Sequence, residues 1–98
     1  MWVRIGTFLV KEGAAEALTS VYHEQATPLV RATRGNRGAL LLAPIHAAEP
    51  FVVMTLWETR ADGDAYEASG TAAEVVGLVR PYFAGPPTLK SYETSSAL

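Results

Sequence analysis

One seven-residue segment constrains this chain more than any other. In Phe51–Trp57 (FVVMTLW), the residues Phe51, Val53, Thr55 and Trp57 alternate with Val52, Met54 and Leu56. Successive side chains of an extended strand point to opposite faces. Both faces of this strand are therefore mostly apolar, the pattern of a strand covered on two sides. Any fold the chain adopts must shelter both.

The flanking sequence supplies the other elements. Trp2–Val10 is rich in β-branched and aromatic residues and reads as a first strand. Ala14–Thr33 reads as a helix with Leu18, Val21, Tyr22, Gln25, Leu29 and Ala32 on one stripe. Pro28 removes a backbone donor inside it and should kink or split it after Ala26. Ala39–Ile45 reads as the second strand and Phe51–Trp57 as the third, with Gly35-Asn36-Arg37-Gly38 as a turn. A second helix comes in two pieces, Asp64–Ser69 and Ala72–Phe83, broken at Gly70 and capped by Asp62 or Asp64. Gly85-Pro86-Pro87 stops it, and Thr88–Thr94 is the fourth strand.

The order β-α-β-β-α-β predicts an α+β, ferredoxin-like fold with a four-stranded antiparallel sheet. Right-handed crossovers put strands one and three in the middle and both helices on one face. Pro44 and Lys90 suit strands two and four to the edges. Two helices cover one face only. The other is expected to be a bare apolar patch, which a second copy of the same chain would cover, sheet on sheet. Broken helices seal a sheet poorly, so a mostly apolar small-molecule pocket is expected between helices and sheet.

Composition excludes several classes. The chain has 98 residues, 49% apolar and 18% charged, which predicts one globular domain over residues 1–98. A net charge of −2 gives no reason to expect nucleic acid or an anionic membrane as partner. The Trp2–Val10 stretch, interrupted by Arg4, is too short to span a bilayer. Zero cysteines rule out disulfides, thiolate nucleophiles and cysteine-bound metals, and leave the cytoplasm as the expected compartment.

A third strand ending in Trp57-Glu58, an aromatic residue (Tyr66) early in the next helix, and a helix ending in Gly-Pro before the last strand complete the pattern. The chain resembles the antibiotic biosynthesis monooxygenase family of dimeric α+β barrels along nearly its whole length. The resemblance implies a homodimer, and a repertoire that includes cofactor-free oxygenation of polyketide quinols and haem degradation. It makes Trp57 the tryptophan that closes strand three and lines the pocket, and Tyr66 the tyrosine that follows it. Val53 stands where the oxygenases carry an asparagine. Val75 and Val76 stand where the haem-degrading branch carries its axial histidine. Arg80 lies one turn beyond the place of the oxygenases' helix arginine.

The residues themselves suggest roles. The indole N–H of Trp57 can bond a phenol or quinone oxygen while its ring stacks on a flat ligand. The hydroxyl of Tyr66 can donate to or accept from a ligand oxygen. Both are the candidate catalytic residues. Thr7, Tyr22, Val53, Thr55, Val76 and Arg80 are candidate substrate-binding residues, with Thr7 and Thr55 placed on the helix-facing side of the sheet and His46 at the pocket mouth. His23 is expected to face solvent, and His46 with Glu49 is too small a set for a metal. Arg31, Arg34 and Arg37 read as a solvated helix end. The first expectation is a cofactor-independent monooxygenase acting on an electron-rich aromatic or quinol, with no cofactor and no metal. The alternative is a non-catalytic small-molecule-binding or accessory protein of the same fold.

Overall fold

A computed structural model describes residues 1–97. Strand β1 (Trp2–Phe8) is followed by helix α1 (Ala15–Val21), a π-helical turn (Tyr22–Ala26) and helix α2 (Thr27–Arg31). Strands β2 (Asn36–Leu42) and β3 (Phe51–Trp57) come next, then helices α3 (Arg60–Ala68) and α4 (Thr71–Val79), a 3-10 turn (Arg80–Tyr82) and strand β4 (Thr88–Glu93). The four strands form one antiparallel sheet in the order β2-β3-β1-β4. Strands β1 and β3 are the central ones, as right-handed crossovers predict. Among the described residues no helix is long and apolar enough to cross a membrane.

The first helical segment departs from the expected stripe. Its buried residues are Leu18, Tyr22, Ala26 and Val30, one every fourth position, while Gln25 and Ala32 are exposed. A straight α-helix would rotate such a series steadily off one face, because four residues exceed its 3.6-residue turn. The π-helical turn removes that drift. Thr27 N–H bonds back to the Tyr22 carbonyl, five residues earlier, and keeps the series facing the sheet. Pro28 sits in the first turn of α2, where a missing N–H costs little.

Two elements also start earlier than expected. Strand β2 runs over Asn36–Leu42 rather than Ala39–Ile45. Three of the four residues expected to turn, Asn36, Arg37 and Gly38, belong to it because a bulge at Arg37 is pinned by Asn36 Nδ2, which donates to the Gly38 and Leu56 carbonyls at 3.2 Å each. Helix α3 starts at Arg60, ahead of both expected aspartate caps. Thr59 caps it: its hydroxyl oxygen accepts from the Asp62 N–H at 3.2 Å and its O–H donates to Asp62 Oδ2 at 3.0 Å. Gly70, at φ 88°, separates α3 from α4 at the expected break.

Packing gathers on one face of the sheet. Phe8, Phe51 and Trp57 from the sheet meet Leu18, Tyr22, Ala26, Val30, Tyr66, Val75 and Val79 from the helices. Gly63 lets α3 approach: a Cβ there would lie 2.7 Å from Trp2 Cδ1. The other face holds Val3, Ile5, Leu40, Leu42, Val52, Met54, Leu56 and Tyr92, none of them buried.

Candidate functional site

Between the helices and the covered face of the sheet lies a cavity of about 290 Å³. Its floor is Arg4, Gly6 and Phe8 of β1 with Val53 and Thr55 of β3. Gly6 has no side chain to fill the floor opposite Val53 and Leu89. Its roof is Tyr22, Tyr66, Glu67 and the α4 face of Ala72, Val75, Val76 and Val79. Arg80, Phe83 and Leu89 complete the wall toward β4. The Phe8 and Phe83 rings stack at 4.3 Å between centroids.

The structure therefore brings Tyr22, Val53, Thr55, Tyr66, Val76 and Arg80 to one cavity. It does not bring Thr7 there. Thr7 pairs with Val52 and Thr88 and shares their side of the sheet, the open one, because it is one residue out of phase with Gly6 and Phe8. His46 is exposed in the β2–β3 connection and lines no part of the cavity. His23 is exposed on the helix, as its position on the wheel predicts.

Trp57 lies behind the cavity wall. It is 0% exposed, and its indole N–H donates to Thr55 Oγ1 at 3.0 Å instead of facing a ligand. Its ring backs Tyr66, with centroids 4.8 Å apart and planes tilted by 31°. Since Thr55 Oγ1 accepts from the indole, the hydroxyl proton of Thr55 is left to donate elsewhere.

The cavity holds three neutral hydroxyls, on Tyr22, Thr55 and Tyr66, beside the charged Arg4, Glu67 and Arg80. Tyr22 is 5% exposed, and its hydroxyl is buried with no hydrogen-bond partner among the described residues. Burial pushes its phenol up to about 12. Tyr66 moves in the same direction: burial is the largest cause, the Glu67 charge and Tyr22 add to it, and Arg4 opposes it. Both phenols keep their protons at neutral pH. They can donate a hydrogen bond to an oxyanion and cannot serve as bases there.

The sequence reading missed Arg4 and Glu67. Arg4 Nε donates to Glu67 Oε1 at 2.6 Å, and Arg4 Nη1 donates to Ser91 Oγ at 3.2 Å. The signal was present. Arg4 interrupts an apolar strand at a position in phase with Trp2 and Phe8, so its charge had to enter the covered face.

Known proteins resemble the chain at two levels. A family model described as antibiotic biosynthesis monooxygenase matches residues 1–77. A protein of Bordetella bronchiseptica, solved as a candidate antibiotic biosynthesis monooxygenase, is 26% identical with a TM-score of 0.83, over 97% of each chain. The heme-degrader MhuD of Mycobacterium tuberculosis, solved with two hemes in its active site, is 26% identical with a TM-score of 0.81. That match covers 100% of this chain and 99% of the other. SnoaB, a cofactor-independent oxygenase of Streptomyces nogalater, has a TM-score of 0.81 over 99% of this chain and 95% of its own. At 14% identity it speaks to the fold alone. No curated protein matches the sequence.

Haem ligated by histidine does not fit these residues. Val75 and Val76 occupy the α4 wall, and no histidine lines the cavity among the described residues.

Proposed function

This chain belongs to the antibiotic biosynthesis monooxygenase family, and from that premise we propose that it is a cofactor-independent monooxygenase of a flat, quinol-type aromatic. The observation that carries the reading is the unpartnered, buried Tyr22 hydroxyl set beside Tyr66 in an apolar cavity. A buried donor left unpaired costs about 1–3 kcal/mol. A ligand oxygen seated there recovers that loss, and the apolar walls suit a planar ring.

The chemistry is the substrate's own. A quinol that loses one phenolic proton becomes an anion able to pass an electron to dioxygen. The semiquinone and superoxide so formed join through a new C–O bond, giving a hydroperoxide. Its O–O bond then breaks: the ring carbon loses its hydrogen, one oxygen stays as a carbonyl and the other leaves in water. All four electrons that reduce dioxygen come from the quinol, and none from a cofactor. The protein contributes a dry pocket, fixed orientation and hydrogen bonds to the oxyanions. Tyr22, Tyr66 and Thr55 are the donors. Trp57 is a positioning residue that fixes the Tyr66 ring and the Thr55 hydroxyl.

We further propose that a second copy of the chain covers the open face of the sheet. The support is the continuous apolar surface of Val3, Ile5, Leu40, Leu42, Val52, Met54 and Leu56, none of them buried, which is the kind of patch that marks an interaction site.

The test is 1,4-dihydroxynaphthalene under ¹⁸O-labelled dioxygen. The expected product is 2-hydroxy-1,4-naphthoquinone with one labelled oxygen, the second label appearing in water. Tyr66→Phe should lower kcat/KM about 100-fold, the usual cost of one lost oxyanion donor. Tight binding of the quinol with no labelled product would instead support an accessory, ligand-binding role.

A further inference from the structure

The shortest polar contact on the cavity wall involves neither tyrosine. Glu67 follows Tyr66 on α3 and lines the cavity beside it. Of the cavity-lining residues it is the one carboxylate among those described. Arg4 Nε occupies Oε1 at 2.6 Å, and Oε2 has no protein partner among the described residues. Arg4 is itself held from two elements. Ser91 of β4 accepts from its Nη1 at 3.2 Å, and Asp64 of α3 lies 3.9 Å from the same nitrogen. The guanidinium thus fixes the rotation of the Glu67 carboxylate and leaves one oxygen unengaged. Arg4 and Glu67 side chains are 16% and 32% exposed, so the pair sits part-way out of water.

We propose that Glu67 Oε2 accepts the phenolic proton of the substrate, and that Arg4 is the residue that positions it. This rests on the oxygenase reading above and supplies the base which that reading needs. The substrate O–H bond breaks, the proton goes to Oε2, and the electron pair stays on the phenolate oxygen. The Tyr66 hydroxyl, next to Glu67 in sequence and on the same wall, donates to that oxygen. After dioxygen adds, the carboxyl returns the proton to the peroxide anion and the carboxylate is restored. The assignment also names a substrate feature: the ring must carry a free hydroxyl at the Arg4–Glu67 end of the cavity. An O-methylated ring has no proton to give there.

Glu67→Gln preserves shape and hydrogen bonding but cannot take a proton. With 1,4-dihydroxynaphthalene, kcat for labelled product should fall about 100-fold with KM changed less than threefold. Binding of 1,4-naphthoquinone, followed by tryptophan fluorescence, should match the parent protein and reports that the pocket is intact. Glu67→Ala should be equally slow and should recover at least tenfold in molar acetate. Arg4→Gln should lose about tenfold, with part of the loss in KM. Normal turnover by Glu67→Gln, or failure of acetate to rescue Glu67→Ala, overturns the assignment of Glu67 while leaving the oxygenase reading intact. No labelled product from the parent protein overturns both.

Discussion

Two neighbouring rows of residues cross the same four strands and have opposite characters. On the covered face the row is Ala39, Thr55, Arg4 and Ser91. One residue away, on the open face, it is Leu40, Met54, Ile5 and Lys90. The first row carries a hydroxyl, a guanidinium and a second hydroxyl to the cavity side. The second is aliphatic until it reaches the edge strand. A sheet can do this because alternation separates its faces at every residue. The helix-covered side can then hold polar groups in an apolar cavity, while the open side stays smooth enough to meet another surface. Ligand binding and the proposed association thus belong to two phases of one alternating sequence, and each phase can be broken without the other.

The largest effect should come from the middle of the open row. Met54→Asp places a carboxylate at the centre of the proposed interface, where a buried unpaired charge costs several kcal/mol. The dimer should weaken at least about 1,000-fold, roughly 4 kcal/mol. Sedimentation equilibrium at micromolar concentration checks it. The parent chain should sediment as two copies and the variant as one. A parent protein that is already a single-chain particle removes the difference in role between the faces. The cavity lies on the other side, so quinone binding by the variant should persist.

What was legible in the sequence follows the same division. Alternation in Phe51–Trp57 marks both faces, because it depends only on a period of two, and the β-α-β-β-α-β order with right-handed crossovers supplies the strand order. Gly70 marked the helix break through its left-handed backbone. The π-helical turn was invisible, because a strict four-residue repeat in Leu18, Tyr22, Ala26 and Val30 imitates an α-helical stripe until one counts its drift. The start of β2 was missed because side-chain bonds from Asn36, and not β-propensity, hold it. At the site, Tyr22, Val53, Thr55, Tyr66, Val76 and Arg80 line one cavity, whereas Thr7 was given the wrong phase and Trp57 and His46 lie outside the lining. Arg4 was noted only as a break in an apolar strand, and Glu67 was not singled out. Their meeting spans 63 residues of chain, which only the packed helix and sheet bring together.

The covered face should show itself next, in alkaline solution. Tyr22 ionises at about 12 in the folded protein, against an ordinary value of 10.0. Below pH 10 the phenol is neutral in both states and the stability is complete. Above pH 10 the unfolded chain ionises first, so stability falls as pH rises and is lost through pH 12. The loss is about 3 kcal/mol at about 1.4 kcal/mol per unit. Tyr66 acts in the same direction. Urea melts at pH 9 and pH 12 measure it, and the Tyr22→Phe, Tyr66→Phe double variant should flatten the curve. An equally steep loss in the double variant would mean that the covered face does not hold neutral phenols out of water.

The smallest effect should come from the far end of the open row. Lys90 and Met54 both pair with Ile5, from opposite sides, so they sit on the same face one strand apart from it. Lys90, however, belongs to the edge strand β4, all of whose residues are exposed. An ammonium group on a long stem can keep its charge in water at the rim while its methylenes lie on the apolar surface. Lys90→Ala should therefore change the dimer constant less than about fivefold, below about 1 kcal/mol, and make it slightly less salt-dependent. Titrating both variants by sedimentation at two ionic strengths compares rim and centre in one experiment. If Lys90→Ala weakens the dimer as severely as Met54→Asp, the contact is centred on β4, and the aliphatic patch of β2 and β3 has another occupant.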